Sequence, residues 1–297
     1  MATVAEPEQQ LAWEARWRPR AGFAAVTAGV LTLAGFLWTA VAFKDLPRSS
    51  YVEALQHALR PGAMGSQPSL RTPEFEFYND HAFSFIGGSV VRGLAYLAFA
   101  YAITFLAVAA RARRPELPRP IVYVALVGAV LFAVAGILGG VGWVVAVSHY
   151  LDGPRTVDAA TDVVNDSLVL TASLLAQLAQ LLIAAGMLLV SLNAMRTGLL
   201  TRFLGILGMI AGALAVLSQF VFAFLEAFWL IALGLLLLGV GRAGILPAWR
   251  TGRAEPWPTK AEVAAARRAA SDKKEPAAAP AGHAHPSSKK RKRKRRS

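Results

Sequence analysis

The chain has 297 residues, 55% of them hydrophobic, and 31 Lys and Arg against 18 Asp and Glu, for a formal net charge of +13. A chain both greasy and basic must keep those two properties in different places. Cysteine is absent, so disulfides, thiolate nucleophiles, Cys-ligated zinc or iron–sulfur clusters and S-acylation are excluded, leaving carboxylate, imidazole and hydroxyl chemistry.

Residues 1–20 form a polar cytoplasmic lead in which Trp13 and Trp17, spaced i, i+4 beside Arg16 and Arg18, suit a short amphipathic helix at headgroup level that Pro19 breaks. Six apolar runs follow, near 21–43, 86–110, 120–147, 167–192, 203–222 and 227–241, and they meet or approach the about 20 residues a helix needs to span a hydrocarbon core. The first run ends on Ala40-Val41-Ala42, which has the small-x-small form of a cleavage site. It is too long for a signal h-region of roughly 7–15 residues and is kept as a span. The last two runs are short and form a tight hairpin. Neither ten-residue alternation nor strand punctuation interrupts the runs, so the expected fold is an all-α integral membrane protein, a six-transmembrane-helix bundle over 21–246.

Between the first two runs, residues 44–85 make the largest loop. Ser50-Tyr51-Val52-Glu53 matches a capping box, and Val52, Leu55 and Leu59 share one face of a short helix that Pro61-Gly62 stops. That helix rests on the membrane surface or on the bundle. The alternation in Glu74-Phe75-Glu76-Phe77-Tyr78 reads as a short extended piece or as an aromatic belt at re-entry. The pairs Gly136 with Gly140 and Gly208 with Gly212 mark close helix packing. From Pro247 the composition shifts to Pro, Ala, Lys and Arg, so 247–297 reads as a disordered basic cytoplasmic tail.

With the N-terminus inside, Arg16, Arg18, Arg20, Arg111, Arg113, Arg114, Arg119, Arg196 and Arg202 fall on the cytoplasmic side together with the basic tail. Only Lys44, Arg48, Arg60, Arg71 and Arg155 lie outside, which is the positive-inside bias for a plasma (inner) membrane protein with both termini cytoplasmic.

The candidate polar pathway centres on the fourth span. Asp158, Asp162 and Asp166, spaced by four, share a helical sector with Asn165, Ser173, Gln177 and Gln180. Like charges at that spacing oppose one another by about 0.2–0.5 kcal/mol per pair, so the stripe makes most sense facing a cation, a basic side chain or water. Arg92 is an available partner, and Glu226 and Gln219 complete the candidates for a polar interior. The bland alternative is a solvated aspartate face above side chains that bond neighbouring helices. His57, His81 and His149 lack metal-ligand spacing. No Gly-rich phosphate loop, zinc-helix motif or nucleophile elbow is present in the sequence, so neither cofactor nor enzymatic activity is expected. Lys289, Lys290, Arg291, Lys292, Arg293, Lys294, Arg295 and Arg296 are candidate contacts for anionic inner-leaflet lipid, with nucleic acid as the alternative partner.

The stretch from Arg202 through Leu204-Gly205-Ile206-Leu207-Gly208-Met209-Ile210-Ala211-Gly212, followed by Phe228-Trp229-Leu230-Ile231, Pro247-Ala248-Trp249 and Glu255-Pro256-Trp257-Pro258, resembles uncharacterised multi-pass membrane proteins of high-GC actinobacteria. The resemblance covers roughly the final third. It implies six helices and an inner-membrane location, and offers no catalytic or binding residues. Two functions fit this reading: a non-enzymatic structural or accessory protein built as a dry bundle, or a transporter or channel-like protein whose small solute or cation enters along the fourth helix.

Overall fold

In the computed structural model, residues 7–59, 62–216, 219–240, 245–258, 261–265 and 268 are described, with side chains at all of these except 7, 51, 54 and 219–222. Residues 258–297 form a separate unit, helical over 261–265; the basic run 289–296 lies outside the described residues. Among the described residues, the α-helices of the first unit are α1 (Pro7–Ala42), α2 (Tyr51–Ala58), α3 (Thr72–Asp80), α4 (Ala82–Arg113), α5 (Pro120–Asp152), α6 (Val157–Val164), α7 (Ser167–Arg196), α8 (Arg202–Leu214), α9 (Gln219–Leu237) and α10 (Pro247–Thr251).

Among the described residues, four helices are long and apolar enough to cross a membrane: Glu8–Ala42, Ala82–Arg113, Pro120–Asp152 and Ser167–Arg196. They turn large apolar side chains outward, among them Leu94 and Leu97 on α4, Val127, Val134 and Val141 on α5, and Leu174, Leu178 and Leu181 on α7. The runs expected at 203–222 and 227–241 appear instead as α8 and α9, which at 1.5 Å per residue reach about 20 and 28 Å.

The long helices and the α8–α9 hairpin pack as a ring in the order α1, α4, α5, α7, α8, α9 and back to α1, with α4 also meeting α7 across the middle. Small residues set the close approaches. A Cβ on Gly128 would lie 2.8 Å from the Ile183 backbone nitrogen, and one on Gly212 would lie 2.9 Å from the Ala184 carbonyl oxygen. The Gly208 and Gly212 pair therefore packs as expected. Gly140 also packs, against Ser89, whereas Gly136 faces open space and packs on nothing within 4 Å.

Two expected boundaries move. The helix does not break at Pro19: α1 runs through it, with Pro19 on an exposed face while Ala21 and Ala25 are buried and Trp13 stacks on Phe105 at 5.3 Å. Packing on both sides outweighs the one backbone hydrogen bond that proline removes. Nor does the bundle end at 246. Leu246, Ala248 and Trp249 are buried, and residues 245–257 form a strap over the α7–α8 turn. There Gly198, at φ +77°, closes α7, and the strap satisfies the carbonyls the turn exposes. Trp249 Nε1 donates to Leu199 O at 3.0 Å, Trp257 Nε1 to Leu200 O at 2.9 Å, and the Glu255 amide to Thr197 O at 3.0 Å. The Pro-Ala-Trp and Glu-Pro-Trp-Pro motifs are thus parts of the fold.

The same end holds a buried ion pair that ties α1 to α4. Arg113 donates to both Glu14 carboxylate oxygens, to Ala109 O and to Ala248 O, with its guanidinium 5.3 Å from the Trp249 ring centroid. Both side chains are almost fully buried. Removing one partner strands a buried charge, which costs about 3–5 kcal/mol, whereas replacing both with apolar groups costs far less. Glu14→Leu and Arg113→Leu are each expected to lower the thermal unfolding midpoint in detergent more than the double variant does. Additive losses would show the pair is uncoupled.

Candidate functional site

The ring encloses a cavity of about 330 Å³ lined by α1, α4, α5, α7 and α9, and an adjoining one of about 260 Å³ continues it toward the end of the bundle that carries residues 43 and 84–85. Thr39, Arg92 and Phe132 line both. Helical periodicity puts these residues together. On α4, Phe85, Ser89, Arg92 and Tyr96 recur at spacings of 4, 3 and 4, and Thr32, Phe36, Thr39 and Phe43 repeat that pattern along and just past α1, so each set shares one face. Gly136 on α5 leaves space that a larger side chain would fill.

The deeper cavity ends on Glu226 of α9, whose side chain is 1% exposed. Among the described residues its hydrogen-bond partner is the Tyr96 hydroxyl, which donates to Oε2 at 3.4 Å. Among the described residues no ion pair within 4.0 Å joins Glu226 to a cation. Arg92, one turn from Tyr96 on α4, is exposed where the two cavities meet. The Thr32 and Thr39 hydroxyls donate to Ala28 O and Gly35 O in their own helix, which leaves their oxygens able to accept.

Gln180 of α7 performs a structural task beside the cavity. Its side-chain amide donates to the carbonyl of Ala215, the residue that caps α8. A helix end at this depth exposes carbonyls without intrahelical partners, and in apolar surroundings each must be satisfied by the protein. Ser173 and Gln177, seven and three residues before Gln180, lie on the same face of α7 and are exposed.

The expected aspartate stripe does not continue this face. Asp166 accepts from the Leu168 amide at 2.9 Å and the Val169 amide at 3.2 Å, so it N-caps α7 and starts a new helix. Asp158 and Asp162 belong to the separate α6, which buries Ala160 and Val163 in a small core with Phe75, Val147 and Tyr150 and leaves both aspartates exposed. The structure therefore brings together Arg92, Gln180 and Glu226, leaves Ser173 and Gln177 on the outward continuation of the α7 face, and sets the aspartates elsewhere. The side chain of Gln219 is not among those described. Tyr96, Thr32 and Thr39 are added members, and their 4, 3, 4 spacing within apolar runs was the available signal.

Around the shallower cavity, residues 72–80 are helical rather than extended. Phe43, Tyr78 and Phe85 pack mutually at 5.3–5.8 Å, and Tyr78 meets Trp143 at 5.7 Å. Burial, reinforced by the Glu74 carboxylate, pushes the Tyr78 phenol above its usual range. The Ser50–Glu53 capping box forms in both directions, and Val52, Leu55 and Leu59 are exposed, turned away from the bundle. His57 and His81 bond the carbonyls of Pro68 and Phe77, which gives each a structural partner.

No protein family matches the chain, and neither curated proteins nor solved structures yield a match. The roles of these residues are therefore argued from geometry alone.

Gln180→Leu leaves the Ala215 carbonyl without its donor and is expected to destabilise the protein by about 1–3 kcal/mol in detergent unfolding. Asp166→Ala removes a helix cap worth about 1 kcal/mol, whereas Asp162→Ala is expected to be silent. A larger loss at Asp162 than at Asp166 would contradict this division of roles.

Proposed function

We propose that this chain is a six-helix plasma-membrane protein, non-enzymatic and with both termini cytoplasmic, that takes a small solute into the cavity ending on Glu226. The transporter-like reading is preferred to the dry structural bundle on one observation: a buried carboxyl group lines a cavity and, among the described residues, forms no ion pair. Ionisable groups at membrane depth are costly, and those retained there usually face a cavity or a charged partner.

The placement of charges supports the orientation. Arg111, Arg114, Arg119, Arg196 and Arg202 cluster about the α4–α5 and α7–α8 turns at one end, while Glu53, Glu74, Glu76, Asp152, Asp158 and Asp162 occupy the other. In this reading the cavity opens toward the extracytoplasmic side. Lipid is the surrounding partner, and the run 289–296 contacts anionic headgroups of the inner leaflet.

Native mass spectrometry of the full chain in mild detergent tests the proposal. A discrete small mass is expected to remain bound, and to be lost in Gly136→Leu, which fills open space at the outer cavity. Heterogeneous lipid alone, or a discrete mass untouched by Gly136→Leu, would favour the structural reading.

A further inference from the structure

The two ionisable side chains that line the deeper cavity, Arg92 and Glu226, form no ion pair within 4.0 Å, which leaves room for a ligand that engages both. Arg92 and Tyr96 are spaced by four on one face of α4, about 6 Å along the helix axis. Glu226 meets Tyr96 at the deeper of these two levels. Arg92 lines both cavities, whereas Glu226 lines only the deeper one. The wall around them is largely apolar and includes Phe36, Ala40, Phe132 and Ala223.

An organic cation alone would satisfy Glu226 but bring positive charge toward Arg92. An anion alone would satisfy Arg92 and leave the buried carboxylate without a counter-charge. A molecule carrying both charges meets both needs and brings no net charge into the bundle, which minimises the cost of burial. Resting on the reading of this cavity as a solute site, we propose that its ligand is a small zwitterion whose ammonium and anionic groups are separated by a short apolar chain. The ammonium donates to the Glu226 carboxylate, the Arg92 guanidinium donates to the anionic group, and the chain lies against Phe36 and Phe132. An α-amino acid carries both charged groups on one carbon, a separation shorter than the about 5.4 Å of one helical turn. An ω-amino acid with roughly three to five methylenes can bridge that turn.

The test is isothermal titration of the full chain in detergent with 5-aminopentanoate, pentylamine, pentanoate and glycine. Because each charge-assisted contact is lost with its partner, 5-aminopentanoate is expected to bind at least about tenfold more tightly than any of the other three. Arg92→Gln, at an exposed position, should reduce its affinity to that of pentylamine, and Glu226→Gln to that of pentanoate. Tyr96→Phe keeps the carboxylate and should retain the preference for the zwitterion, which separates loss of charge from loss of packing at the cavity floor. Equal affinity for pentylamine and 5-aminopentanoate, or an Arg92→Gln variant with unchanged selectivity, would overturn the proposal. If no probe binds while a discrete native mass is present, the ligand class is wrong and the cavity reading stands. If neither is found, both fall.

Discussion

An α-helix in apolar surroundings must have its end groups satisfied by protein, and α8 ends where its neighbours continue. Four helices of the ring have 30 or more residues, whereas α9 has 19 and α8 only 13. It stops beside Gln180, which lies about 20 Å along α7 from the Ser167 end. The Gln180 amide on the Ala215 carbonyl makes that early stop tolerable. With Gly136 facing open space and Ala176 and Ala223 on the walls, the cavity follows from small side chains around a short helix.

The chain treats buried charge in two ways. At the end near the α7–α8 turn, Glu14 and Arg113 are paired, surrounded by further hydrogen bonds and covered by Trp249. That arrangement joins α1, α4 and the strap, and it satisfies its own polar atoms except the buried Arg113 Nε. In the middle of the bundle, Glu226 has one long hydrogen bond from Tyr96, and Arg92 lies where the two cavities meet. Within one bundle the contrast is informative: a charge pair serving the fold is closed, whereas the charges around the cavity leave room for something between them.

Hydropathy made the helices legible, because apolar runs near 20 residues admit few alternatives. Arg92, Gln180 and Glu226 stood out since polar groups within such runs are rare. Tyr96 and the two threonines were harder to find, as they are ordinary residues in apolar helices until helical spacing aligns them with Arg92. The aspartate stripe misled for a physical reason. Spacing by four implies a continuous helix, and Asp166 instead spends its side chain capping a new one. Trp249 and Trp257 were hidden by the composition around them, which resembles a tail although both indoles bond carbonyls of the α7–α8 turn. Pairing Glu14 with Arg113 required knowing that the two ends of α1 and α4 meet, which no local pattern encodes.

The central claim is a cavity reached from the extracytoplasmic side and ending on Glu226. A chain without cysteine permits a direct test, because each introduced thiol is the sole reactive one. Single cysteines at Ser89, Thr39 and Ala223, from the cavity's outer region to its floor, would be treated in intact cells with a small membrane-impermeant thiol reagent. Ile103, buried in the core, is the control. The account predicts labelling at all three cavity positions, slowing with depth, and none at Ile103. Protection of Thr39 and Ala223 to the level of Ile103 would contradict it.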